Sequence, residues 1–166
     1  MEKQGNGNPT GTMPEVGQAR RLTVPLTSNH DVASPLRYPG GKTVLSGFVA
    51  TLIERPGMKD PTYVEPYAGG AGVALRLLRE NRVSRIVIND YDRNVYAFWN
   101  GAVNHSADFL ARFDAVEPTM EEWHRQRRII RDPSDEGERG FAFFFLNRTN
   151  RSGVLNGGTN WSGCPR

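Results

Sequence analysis

Tyr63-Val64-Glu65-Pro66-Tyr67-Ala68-Gly69-Gly70-Ala71-Gly72 is the stretch whose reading decides the fold. A short apolar start gives way to small residues, and Val73, Leu75, Leu77 and Leu78 follow. This predicts a strand near Thr62 to Glu65, a tight glycine turn, and a helix from Val73 to Glu80. Beyond it, Arg85 to Asn89 is mostly β-branched, which predicts a second strand buried in a parallel sheet. Asp90 closes that strand about twenty residues after the glycines. Strand, glycine turn, helix, second strand and terminal acid form the layout that cradles an adenosine-containing cofactor.

Each part of that layout has a physical reason. Residues without bulk at the end of a strand let the backbone pass close to a ligand where a Cβ would clash. The following helix aims its free N–H groups at the same place. Asp90, at the tip of the second strand, can take both hydroxyls of a ribose. A dinucleotide site prefers G-x-G-x-x-G, and here Gly70 and Gly72 are followed by Leu75 in the third position. That argues against a nicotinamide or flavin dinucleotide. The plainer alternative is a structural turn of any α/β protein with a solvated Asp90.

Working outward towards the N-terminus, Leu36-Arg37-Tyr38-Pro39-Gly40-Gly41-Lys42 is a second glycine-rich run. It leads into a predicted helix from Lys42 to Glu54, with Leu45, Phe48, Val49, Leu52 and Ile53 on one face and Pro56-Gly57 as its stop. Residues 1–33, rich in Gly, Asn, Pro and Thr, read as a flexible leader. In the other direction Val95, Phe98, Trp99 and Val103 form one helical stripe, and Phe109, Leu110 and Phe113 another. Further helices are predicted from Met120 to Arg131 and from Glu138 to Leu146. Helical periodicity then stops at Asn147.

Composition bounds the rest. A chain of 166 residues, 37% hydrophobic and 23% charged, suits one soluble domain rather than two. A formal charge of +3 permits a phosphate-rich partner without demonstrating one. The single cysteine, Cys164, excludes an internal disulfide and fits a reducing compartment. The run Phe141 to Leu146 is too short to cross a bilayer and the N-terminus has no signal-peptide core, so the expectation is cytoplasmic with no membrane partner. His30, His105 and His124 are scattered, and no metal site is expected. Arg125, Arg127, Arg128 and Arg131 lie beside Glu121 and Glu122 and read as a solvated face rather than a DNA track.

Four motifs in one order carry a resemblance: Arg37-Tyr38-Pro39-Gly40-Gly41-Lys42, Glu65-Pro66-Tyr67-Ala68-Gly69-Gly70, Ile88-Asn89-Asp90, and Phe144-Phe145-Leu146-Asn147-Arg148. From about Pro35 to Gly158 the chain resembles the Dam-like (D12 class) DNA adenine-N6 methyltransferases. The resemblance implies an α/β, Rossmann-like S-adenosylmethionine-dependent fold followed by the start of a helical and hairpin DNA-recognition region. It implies that Tyr38 lies against the cofactor, that Lys42 belongs to the site, and that Asp90 binds the ribose. Glu65, Pro66, Tyr67 and Gly69 correspond to the strand and loop under the methionine part. The family often has Phe where Tyr67 stands, and its second loop glycine falls on Ala71. Asn147, Arg148, Asn150 and Arg151 match the start of the region that contacts double-stranded DNA, where amides and guanidinium groups suit phosphates and base edges.

One expected part is missing. Amino-methyltransferases of this group use a [D/N/S]-P-P-[Y/F/W] segment to accept hydrogen bonds from the exocyclic amine and to stack on the flipped base. The sequence contains none, so no catalytic residue is assigned. Asp60-Pro61-Thr62-Tyr63 lacks the second proline and precedes the cofactor strand, where it reads as a turn. Asp132-Pro133-Ser134-Asp135 has no aromatic. The sequence therefore predicts three parts: a leader at 1–33, an S-adenosylmethionine-binding α/β region at 34–104, and a helical, truncated recognition region at 105–166. The expectation is an incomplete enzyme whose partners are DNA and a missing C-terminal half or a restriction endonuclease. A non-catalytic S-adenosylmethionine- or DNA-binding module is the alternative. An incomplete sheet should also expose apolar faces and edges.

Overall fold

The computed structural model describes residues 34–54 and 59–155. The leader, the Pro56-Gly57 stop, His30, Cys164 and the Thr159-Asn160-Trp161 stretch lie outside the described residues. The described chain is mixed α/β, with six α-helices around a two-stranded parallel sheet.

The sheet pairs β1 (Thr62–Glu65) with β2 (Arg85–Ile88) in the register Thr62↔Arg85 through Glu65↔Ile88. Helix α2 (Gly72–Arg79) connects them, and Val73, Ala74 and Leu77 are buried there. Val73 and Leu77 form one small core with Val83, against which Tyr63 and Ile86 pack. The opposite sheet face is open: Val64 is 58% exposed and Val87 45%. The expected full burial of β2 is thus corrected, because nothing among the described residues covers its second face. The expected apolar exposure is what the sheet displays.

Ahead of β1, Lys42–Leu45 forms a 3-10 turn that runs into α1 (Ser46–Ile53). Of the predicted apolar face, Leu45 and Phe48 remain exposed, and Ser46 is the only buried residue of α1.

Four helices follow β2. Helix α3 (Arg93–Asn104) starts where the Asp92 side chain accepts from the Asn94 N–H. Helix α4 (Ser106–Ala115) follows after His105. Thr119 caps α5 (Met120–Ile129) by accepting from Glu122 N–H, with Glu121 and Glu122 in the favourable first turn. Asp135 caps α6 (Glu136–Thr149) in the same way through Glu138 N–H. Helix α6 runs three residues beyond the predicted Leu146, so Asn147, Arg148 and Thr149 are helical rather than loop.

The pairing of α3 with α6 is the centre of the molecule. A Cβ on Gly140 would stand 2.4 Å from the Ala97 carbonyl oxygen, so the helices meet backbone to backbone there. Phe98 stacks on Phe144 with centroids 5.5 Å apart and meets Phe109 edge-on at 5.6 Å. The buried cluster of Leu36, Ala68, Ala71, Ala74, Val95, Phe98, Trp99 and Phe143 joins this helical core to the glycine loop. Of the predicted stripes, Val103, Leu110 and Phe113 remain exposed.

Candidate functional site

Small residues let the β1–α2 connection fold back under its own helix. Gly69 has φ +48° and Ala71 φ +49°, the left-handed region in which a side chain is a strain and glycine is at ease. The Ala68 N–H donates to the Asn89 carbonyl at 2.9 Å, which brings the ends of both strands to one rim. From there Gly69 N–H donates to Asp90 Oδ2 at 2.7 Å. Asp90 Oδ1 accepts from Asp92 N–H at 3.0 Å, so this half-buried carboxylate braces both the glycine loop and the entry to α3. Carboxylate oxygens have two lone pairs each, so acceptor capacity remains.

Glu65 is buried at the C-terminal end of β1. Its Oε2 accepts from Ala74 N–H at 3.2 Å, in the first turn of α2. Ala71 offers no side-chain cap, and the Glu65 carboxylate takes that place from across the loop. Its other oxygen, Oε1, is buried without a hydrogen bond. The Lys42 ammonium stands 3.2 Å from Oε1 as an ion pair and directs its hydrogen bond to the Tyr67 carbonyl.

The ring of Tyr38 covers the loop. An added Cβ on Gly69 would lie 2.8 Å from Tyr38 Cε1, so only a glycine permits this approach. One face of the ring is therefore spent on the loop, while the residue as a whole stays 42% exposed. Burial first, then the carboxylates of Asp90 and Asp92, push the phenol above its ordinary range. Pro66 and Tyr67 lie exposed on the same loop.

The structure thus brings Tyr38, Lys42, Glu65, Tyr67, Gly69 and Asp90 around one loop. The four residues read as DNA contacts divide. Arg148 and Arg151 are exposed, and Arg148 Nη1 donates to the Pro35 carbonyl at 3.3 Å. Asn147 and Asn150 are buried and bond inside the chain: Asn147 to Arg37 and Gly153, Asn150 to Trp123, Val154 and Leu155. Arg125, Arg128 and Arg131 face solvent in the expected way, Arg125 pairing with Glu122, whereas Arg127 is half-buried over the Trp123 ring.

Sequence reasoning missed three contributors. Trp99 is buried and donates its indole N–H to the Gly69 carbonyl at 2.8 Å, tying α3 to the loop. Its place in a helical stripe announced a core residue, not this bond. Tyr91 is 92% exposed beside Asp90, a free aromatic face at the rim. Thr43 presses its Oγ1 so close to Gly72 that a Cβ there would lie 2.2 Å away. A hollow of about 650 Å³ lies elsewhere, between α4, α5 and α6, and its lining mixes Arg112, Arg125 and Arg128 with Glu117, Glu121 and Glu122.

Comparison with protein families gives a match to the D12 class N6 adenine-specific DNA methyltransferases over residues 38–160, most of the chain. Comparison with individually curated proteins gives no match. No helix among the described residues is long and apolar enough to cross a membrane.

Proposed function

The chain belongs to the D12 class N6 adenine-specific DNA methyltransferases, and from that premise we propose that its glycine loop holds S-adenosylmethionine in a Rossmann-like region over residues 34–104. The observation that carries this reading is the convergence on one loop of the Asp90 carboxylate, the bare Gly69 backbone and the buried Glu65 carboxylate paired with Lys42. Two carboxylates beside a bare backbone suit the hydroxyls and ammonium of such a cofactor.

When bound, S-adenosylmethionine supplies an electrophilic methyl group. The chain's own residues bind and orient. Asp90 accepts from the ribose hydroxyls while holding the loop through Gly69. Glu65 accepts from the methionine ammonium, and Lys42 neutralises the acidic end of the site. Tyr38 walls the cleft, Tyr91 offers a face for the adenine ring, and Pro66 and Tyr67 shape the rim. Orientation of this kind is what methyl transfer needs most from a protein.

From residue 105 onward the helical part leads into DNA recognition. We assign phosphate contact to Arg148 and Arg151, with Asn147 and Asn150 holding them from inside. The sequence has no [D/N/S]-P-P-[Y/F/W] segment, so no residue here is assigned to grip the adenine amine. That same lack favours one second reading, a module that binds S-adenosylmethionine or DNA without catalysis.

Calorimetry with S-adenosylmethionine tests the site. Asp90→Ala should weaken binding about 10- to 100-fold, the worth of charged hydrogen bonds. Unchanged affinity in that variant refutes the assignment. On duplex DNA, Arg148→Ala and Arg151→Ala should each lower the salt slope of binding by about one. Methylation of an adenine-containing duplex only when a C-terminal half is added separates the enzyme from the binding module.

A further inference from the structure

Asn147 stands near the C-terminal end of α6, 2% exposed, and reaches back 110 residues in sequence. Its Oδ1 accepts from the Arg37 N–H at 2.9 Å, and its Nδ2 donates to the Arg37 carbonyl at 2.9 Å. The same Nδ2 donates to the Gly153 carbonyl at 3.0 Å. One side chain thus takes both backbone groups of Arg37, as a neighbouring strand would. Gly153, with φ +70°, presses on that residue too: a Cβ there would meet the Arg37 carbonyl oxygen at 2.6 Å. The residues on either side of Arg37 are Leu36, buried in the core, and Tyr38, whose ring lies on Gly69. Residues 34–41 belong to no helix or strand, so their height over the loop is set by contacts of this kind.

We infer that Asn147 is a positioning residue for the cofactor site: it fixes Tyr38 over the glycine loop and makes that wall depend on the segment bearing Arg148 and Arg151. The inference takes its ligand from the reading above, although the chain of contacts stands without one. Arg148 adds a second tie through the Pro35 carbonyl. By linkage, a partner that stabilises the 147–153 segment tightens the cofactor, and the cofactor tightens the partner by the same factor.

Amide exchange and indole resonances of the full chain, followed by NMR, test the coupling without ligand. Asn147→Ala should lower the protection of the Gly69 amide and shift the Trp99 indole resonance. Asn150→Ala, a buried asparagine at the same helix end, should shift the Trp123 indole and leave Gly69 and Trp99 as in the wild type. An unmoved Gly69 amide in Asn147→Ala, or the same response to both variants, overturns the inference. Should Asn147→Ala fail to fold, Gly153→Ala presses Arg37 from the other side and is judged by the same signals. With S-adenosylmethionine, Asn147→Ala should cost about tenfold in affinity in the wild-type background and under about twofold in Tyr38→Ala. Fully additive losses overturn the inference. A wild type that binds no S-adenosylmethionine refutes the cofactor reading alone, and the exchange result then decides for Asn147.

Discussion

Alanine at Gly69 and alanine at Gly40 should destabilise the protein by different amounts, and the difference measures the Tyr38 contact. Both glycines sit in the left-handed region, at φ +48° and +74°. A side chain in that region costs roughly 1–2 kcal/mol. At Gly40 a new Cβ meets nothing within 4 Å, so this conformational cost is the whole effect. At Gly69 the methyl group would lie 2.8, 2.9 and 3.2 Å from Tyr38 Cε1, Cδ1 and Cζ. Carbon contacts are optimal at about 3.5–4.0 Å, so the ring must move. It is partly exposed and can tilt outward, which makes the added cost that of an off-rotamer side chain, about 0.5–1.5 kcal/mol, not that of a core overlap. Gly69→Ala should therefore lose about 1 kcal/mol more than Gly40→Ala. Urea unfolding followed by tryptophan fluorescence, read as midpoint shifts at a common slope, measures both. In a Tyr38→Ala background the two losses should become equal. Equal losses in the wild type, or a difference that survives removal of the ring, would refute the reasoning.

The α3–α6 contact offers a harsher test. Gly140→Ala puts a methyl group 2.4 Å from the Ala97 carbonyl oxygen and 2.6 Å from its carbon, where nothing can rotate away. The helices must separate, and the loss should reach or pass about 3 kcal/mol, the upper end for overpacking. A thermal melt by circular dichroism within a few degrees of the wild type would contradict this. At the start of α6 the Ser134 hydroxyl, and then its N–H, hold the Glu138 carboxyl below its ordinary range. A lowered native pKa gives stability that is complete above the ordinary value of 4.5 and is lost as pH falls through the native one. Ser134→Ala should thus be less stable than the wild type near neutral pH, with the gap closing in acid. A gap of constant size across that range sinks the assignment.

How much of this was legible in the sequence depended on how local its cause was. The strand, glycine turn and helix of residues 62–79 were readable because neighbouring residues decide them. The open face of β2 was not readable: Ile86, Val87 and Ile88 announce a buried strand, but exposure depends on what else packs there. Helix α6 ran past its predicted end because Asn147, a poor helix former by propensity, finds partners in Arg37 and Gly153, while Asn150, the residue after the helix, is held by Trp123 and the 154–155 carbonyls. Those partners lie too far along the chain, or in too irregular a turn, for any periodicity to announce. Tyr38, Lys42, Glu65, Gly69 and Asp90 were legible as a set through their motifs, while the indole bond of Trp99 needed the fold.

The Arg37–Asn147 contact also bears on the order in which the protein assembles. Closing so long a loop carries an entropic cost that local helices and the β1–β2 unit do not face, and non-local contacts of this kind slow folding. The glycine loop, α2 and the strand pair can form early from nearby residues, while the Tyr38 wall waits for the end of α6. During synthesis from the N-terminus, the glycine loop would be made well before the Asn147 that fixes the Tyr38 wall. A nascent chain carrying every residue up to α5 would hold a loop without its lid.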